Sequence, residues 1–409
     1  MSESKIALKG WSSTAIHSKE TDPPLSAHLN PIFATSTFSF DTAEEGMDRF
    51  AGKEKQQIYS RWGNPSFREA EAKISSLEAF ELQGDDGGPM QLKTLLHASG
   101  QAALSTCFFS NLRSGDTLLS HPSLYGGTHE LFHKVMADAG IQTLIANLHD
   151  LNIAEEVFRE NKISLLHIET PANPTIQCFD IAGLAAIAKR YGAIVSVDNT
   201  FATPYLQQPF RFGVDFVVHS TTKFLNGHGT AIGGALVGRD IEFMKTKAWK
   251  WYALLGGNAN PFDAFLLTQG MKTLEIRMQR HCYNAFETAK FLNFHHKVSR
   301  VNYNGLEDHP DYAVSQKQMR HPGPMMSFEL KGGLEAGKKF IDALQMCTRA
   351  VSLGTLDTLL SHPASMSHAG LKPEERHAYG ISDGLIRMSI GIENIEDILE
   401  DLDQALEKT

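Results

Sequence analysis

The sequence predicts an α/β architecture: a three-layer domain on a mostly parallel sheet, followed by a smaller C-terminal α+β domain. Three observations carry this. From about residue 94, short apolar runs alternate with longer segments of helical spacing. The runs are apolar throughout rather than at every second residue, as strands buried on both faces are. The alternation stops after WYALLGGNANP, where a long helical segment begins.

Taken in order, residues 1–70, with PPLSAHLNPIF and several polar turns, read as an arm rather than a domain. An arm of that length needs a surface to lie on, and a neighbouring subunit offers one. Residues 71–262 form the large domain, with the runs TLLHA, DTLLS, IQTLIAN, ISLLHIE, AIVSV, DFVVHS and GGALVG as strands. Between them lie helical segments such as GQAALSTCFFSNL and IAGLAAIAKRY; in the latter, Ile181, Leu184, Ala185 and Ala188 share one face. Residues 263–409 form the second domain, opened by the long helix FDAFLLTQGMKTLEIRMQRHCYNAFETAKFL. Strands in PMMSFEL, RAVSL and LIRMSIGI follow, then a closing helix whose Ile395, Ile398, Leu399, Leu402 and Leu406 make one stripe.

Composition excludes several classes of function. The 409 residues are 42% hydrophobic and 21% charged, an ordinary globular balance. A net charge of -9 without a Lys/Arg cluster speaks against nucleic acid. No run approaches the roughly 18 apolar residues of a membrane span, and MSESKIALKGWSS lacks the features of a leader, so a cytoplasmic protein is expected. Cys107, Cys178, Cys282 and Cys347 lie far apart with no CxxC pair, which suits a reducing compartment. No metal is expected: adjacent His295 and His296 diverge on any helix or strand, and no third ligand is evident. The glycines around His228 lack nucleotide-binding spacing.

The chemistry gathers where strands end. In HSTTKFLNGHG, directly after VDFVV, a lysine stands among hydroxyls and glycines at the carboxyl edge of the sheet, where ligands of doubly wound folds bind. Ser220 and Thr222 can donate to a phosphate, and the glycines let backbone approach closely. AIVSVDNT sends Asp198 to the end of another core strand, where a carboxylate needs a cationic partner. Pyridoxal phosphate meets all three demands at once, with an aldehyde for the lysine, a ring nitrogen for the acid and a phosphate for the donors. In HASGQAAL, Ser99, Gly100 and Gln101 sit at a strand-to-helix turn whose free N–H groups attract an anion. SHPSLYGGTH presents Tyr125, an aromatic face and a proton carrier, and ETPANPT places Asn173 within reach of a ring oxygen.

Together YSRWGNPS, ASGQAAL, SLYGGT, ETPANPT, VDNTFATPYLQQP, HSTTKFLNGHG, AVSLGTLDTLLSHPASMSH and SDGLIRMSIGIE resemble the Cys/Met-metabolism group of pyridoxal-phosphate enzymes, over nearly the whole chain. That resemblance implies fold type I, with Lys223 carrying the cofactor, and Ser220, Thr222, Gly100 and Gln101 on its phosphate. It implies that Tyr59 and Arg61 reach the phosphate of a neighbouring subunit, hence a homotetramer of two active dimers. Arg387, with Ser352 beside it, matches the clamp for the substrate α-carboxylate, and Tyr125 is the candidate acid at the γ-substituent. The C-terminal segments look most like methionine γ-lyases, with cystathionine γ-synthase, cystathionine γ-lyase and O-acylhomoserine sulfhydrylase as alternatives. Gly127, where those lyases usually have cysteine, and Asp357, where cystathionine recognition is associated with glutamate, are the departures.

Overall fold

A computed structural model describes residues 8–20, 22–53, 57–367, 369–370, 372–378 and 380–409, so the first seven residues of the expected arm lie outside the described residues. Every run expected as a strand of the large domain is one: β1 (Lys93–His97), β2 (Thr117–Ser120), β3 (Gln142–Ile145), β4 (Leu165–Glu169), β5 (Ile194–Asp198), β6 (Phe216–His219) and β7 (Gly234–Gly238). They lie in the order β1-β7-β6-β5-β4-β2-β3. Strands β6, β5, β4, β2 and β3 run parallel, and β7 runs antiparallel between β6 and β1.

The continuous apolar runs follow from burial on both faces. On one, Val195, Val197 and Val217 pack with Ile181, Leu184, Ala185 and Ala188 of the helix Ile181–Arg190. On the other, Leu118, Leu165 and Val218 pack with Leu104, Cys107 and Phe108 of the helix Gly100–Asn111. The arm contributes as well: Trp11 and Ala15 of the helix Trp11–His17 join the first core, with Trp11 edge-on to Tyr205. Buried Lys73 holds that helix end by donating to the carbonyls of Ala15, Ile16 and Ser18.

The smaller sheet comprises β8 (Val298–Asn302), β9 (Met325–Leu330), β10 (Thr348–Arg349), β11 (Leu359–Ser361) and β12 (Leu385–Ser389), in the order β10-β11-β12-β9-β8. Sequence patterning differs from the structure at two places that matter. The long helical segment is two helices, Pro261–Met271 and Leu274–Phe294. Buried Arg277 exploits the break, donating to the freed carbonyl of Gly270 at 2.8 Å and to Phe224 O at 2.9 Å, which braces the turn after Lys223. RAVSL stays in the sheet only to Arg349; beyond it the chain leaves the sheet and carries Ser352 to Lys223.

One polar residue interrupts the stripe of the closing helix Ile395–Leu406. Buried Asp401 accepts N–H donors from Gln345 at 2.8 Å, Met346 at 3.0 Å and Cys347 at 2.7 Å. Burial alone would raise its carboxyl, but the N–H groups of Cys347, Gln345 and Met346 outweigh it and hold the pKa below the usual range. Asp401→Ala orphans these donors, so a loss of about 2–3 kcal/mol is expected, read as a lower denaturant midpoint with turnover per folded molecule unchanged.

Candidate active site

The ends of β2 and β4 carry Tyr125, Gly127 and Asn173 to one cavity of about 480 Å³ between the two sheets, lined also by Val351, Ile381 and Arg387; Asp198 and Lys223, after β5 and β6, lie outside its lining. Each strand-end residue arrives for a local reason. After β1, Ser99 caps the helix Gly100–Asn111 by accepting from Ala102 N–H at 3.1 Å. Gly100 lies where a Cβ would come within 3.0 Å of Ser220 Cβ, so the β1 and β6 loops meet there. At Gly234 a Cβ would collide with Ser99 O at 2.1 Å, which is why backbone can press so closely. Thr222 spends its hydroxyl on Gly233, accepting from N–H at 3.0 Å and donating to O at 3.2 Å.

Lys223 follows, mostly buried. Its Nζ donates to Ser352 Oγ at 3.1 Å, and burial, reinforced by the Arg387 charge, lowers its pKa to about 8. Arg387, on β12, is nine-tenths covered and touches only neutral acceptors: Nη2 donates to Val351 O at 2.7 Å and Ser352 O at 3.0 Å, Nη1 to Asn173 Oδ1 at 3.2 Å. Its Nε has no partner, and burial brings its pKa down to about 10. A desolvated guanidinium without a carboxylate is costly, so this one is set to receive an anion.

At the end of β5, burial raises the pKa of Asp198; Thr200 N–H donates to it at 2.9 Å, and no described cation forms an ion pair with it. Tyr125 opens a short helix at the cavity mouth, half exposed, its N–H donating to Glu169 Oε2 at 2.8 Å. Asn173 N–H donates to Glu169 Oε1 at 3.2 Å. Glu169 therefore positions two cavity residues at once. Burial, with the Asp198 charge adding, pushes its own carboxyl up. Sequence reasoning passed it over, although it ends an apolar strand in register with Asp198 and so carries the same signal.

Two expected residues stand apart. Arg61 donates to Ala253 O at 2.6 Å and lies over the rings of Tyr59 and Trp62, and Tyr59 is more than a third exposed. Like Asp198 and Lys223, neither is among the residues lining the cavity.

Residues 12–407 match the family model for Cys/Met metabolism PLP-dependent enzymes. The chain belongs to that family. It is 43% identical over 410 residues to an L-methionine gamma-lyase of Fusobacterium nucleatum subsp. nucleatum, covering 99% of this chain and 100% of that protein. It is 41% identical to an L-methionine gamma-lyase of Porphyromonas gingivalis, covering 100% and 99%. The structure is similar to that of cystathionine gamma synthase from Xanthomonas oryzae pv. oryzae in complex with aminoacrylate and cysteine, with a TM-score of 0.90 and 36% identity over 98% of this chain and 99% of that one.

The fold is therefore fold type I, and the family's cofactor is pyridoxal phosphate. This chain's residues fit that group: the buried Nε2 of Gln101 lacks a partner, Asp198 offers a buried carboxylate, and Lys223 offers an amine. Gly127 closes the cradle. A Cβ there would stand 2.6 Å from Tyr125 Cε1 and 2.7 Å from Gln101 Nε2. Both atoms are the far ends of side chains that can turn aside, so Gly127→Ala is expected to change kcat/KM less than about tenfold, with little change in melting temperature.

Proposed function

We propose that this enzyme is an L-methionine γ-lyase, converting methionine and water to methanethiol, 2-oxobutanoate and ammonia. The observation that carries the reading is 43% identity to a curated lyase across 99% of this chain, the cavity residues included in that span. Bound pyridoxal phosphate supplies an electron sink for the pair released at the substrate carbons. Gly100, Gln101, Ser220 and Thr222 would hold its phosphate, Asp198 would face its ring nitrogen and Asn173 its ring oxygen; Ser99 sets the turn, Tyr125 would cover the ring, and Lys223 would supply the amine for its aldehyde. Arg387 forks onto the substrate carboxylate with Ser352 beside it, which holds the Cα proton toward Lys223 Nζ. That amine, neutral in part because burial lowers its pKa to about 8, takes the proton. Tyr125 holds a proton at the cavity mouth for the departing sulfur.

The large domain spans 71–262 and the C-terminal domain 263–409. The arm, residues 1–70, packs Trp11, Ala15, Phe67 and Ala70 into this chain's own core, and the stretch between them lies on a neighbouring subunit and brings Tyr59 and Arg61 to that subunit's phosphate, making a homotetramer of two active dimers. The exposure of Tyr59, with the Arg61 guanidinium stacked over its ring, supports that reading. No described helix is long and apolar enough to cross a membrane, which accords with a cytoplasmic enzyme acting on a small amino acid.

A second reading, cystathionine γ-synthase or γ-lyase or O-acylhomoserine sulfhydrylase chemistry, is favoured by Gly127 and by the likeness to a cystathionine gamma synthase structure. One substrate panel separates them. Methionine is expected to yield methanethiol and 2-oxobutanoate in equal amounts. Absence of both, with cystathionine formed from an acylhomoserine and cysteine, would replace the first reading by the second.

A further inference from the structure

We propose that His295, His296, Asp403 and Glu407, on the outer face of the C-terminal domain, form a binding site for one divalent transition-metal ion of the zinc class. Adjacent histidines on a regular element splay apart, but the helix Leu274–Phe294 ends one residue before this pair, and His295 takes an extended backbone, φ -78 and ψ 128. The two imidazoles therefore stack, 4.8 Å between centroids and 24° between planes. The closing helix supplies the ligands that the sequence hid. Asp403 and Glu407 stand four residues apart, so they face the same way at its end.

The distances decide what the cluster is suited to. His295 Nε2 lies 3.4 Å from Asp403 Oδ1 and 3.7 Å from Glu407 Oε1; His296 Nε2 lies 3.8 Å from the same Oε1. These gaps exceed the roughly 2.7–3.2 Å of a hydrogen bond. They approach the edges, roughly 3.4 Å, of a tetrahedron of donors about 2.0–2.2 Å from a zinc ion. His295, His296 and Glu407 offer donor atoms within 4.8 Å of one another, Asp403 reaches the cluster through His295, and the His296 side chain, 68% exposed, can turn to close the set. Two imidazoles with two carboxylates select zinc, cobalt, nickel or copper over magnesium or calcium. Neighbouring lysines do not occupy the place: Lys297 Nζ donates to Thr409 O at 2.6 Å, and Lys290 pairs with Glu287 at 2.8 Å. Metal at His295 Nε2 moves the ring proton to Nδ1, which surrenders only a 3.3 Å contact from Lys297 N–H. An ion here would fasten the chain's last helix to the start of β8.

The test titrates zinc into the full-length holoenzyme after chelator treatment, by calorimetry. The same titration runs on His296→Ala and Glu407→Gln, both substitutions of exposed side chains that leave the core intact. One equivalent is expected on the wild type, with affinity about tenfold or more weaker in each variant. Zinc should also raise the melting temperature of the wild type and leave the double variant unmoved. Cobalt in place of zinc should give the visible absorption of a four-coordinate ion in the wild type alone. No saturable binding, or binding that both variants retain, overturns the site and leaves these residues as a surface cluster without a ligand.

Discussion

Lys223→Ala is expected to lower kcat by roughly a thousandfold or more, because in the proposed reaction one side chain would serve both as anchor and as base. The amine sits between the two domains, held to Ser352 at 3.1 Å. Burial strips its water, and the Arg387 charge works against a second cation, so its pKa falls to about 8. The sign follows directly: a base must be neutral, and this amine is free only once substrate has displaced it, so kcat of the wild type should climb as pH rises through about 8 and level off above it. Lys223→Arg keeps a cation in place but stays protonated throughout that range, so it should be as inactive as the alanine variant. Borohydride should fix the yellow chromophore to the wild-type chain and to neither variant, and a small free amine should restore part of the alanine variant's turnover. Removing a partly desolvated ammonium costs the fold little, so the melting temperature should hold. Turnover within tenfold of wild type, or a chromophore still fixed by borohydride, would remove this lysine from the reaction.

How far the site could be read in advance depended on where each residue's neighbours lie. Asp198, Lys223 and Asn173 follow apolar strands, and a strand buried on both faces in a parallel sheet has one place to end, so their convergence was visible in one dimension. Ser352 was visible only through resemblance: its stretch looks like strand, and it leaves the sheet because Lys223 stands across the gap. The break after Met271 was invisible for a similar reason. Both halves are apolar, and what stabilises the interruption is Arg277, whose acceptors at Phe224 and Gly270 are brought together only by the fold. Asp401 and Asp403 read as the solvated side of an amphipathic helix, yet one caps a distant turn and the other faces His295. Long-range polar pairing leaves no periodicity, whereas burial does.

Arg387→Ala is expected to cut kcat/KM by roughly a thousandfold, about 4 kcal/mol, with most of the loss in KM. The guanidinium is anchored by carbonyl oxygens of Val351 and Ser352 and by the Asn173 amide, so two segments distant in sequence fix its plane before any substrate arrives. None of these acceptors carries charge. The positive charge therefore stays uncompensated in a desolvated site, and a carboxylate of the substrate supplies both the missing charge and a matching pair of oxygens. Lysine at 387 keeps the charge but loses the fork and the three anchors, so Arg387→Lys should recover only a small part of the loss. A purely structural role for Arg387 makes a different forecast, and methionine amide tells the two apart. Wild type should prefer the acid over the amide by a wide margin, and Arg387→Ala should lose that preference while keeping its cofactor absorbance and melting temperature. A variant that still prefers the acid as strongly as wild type places the carboxylate elsewhere, and the cavity between the two sheets would then need another cation to hold its substrate.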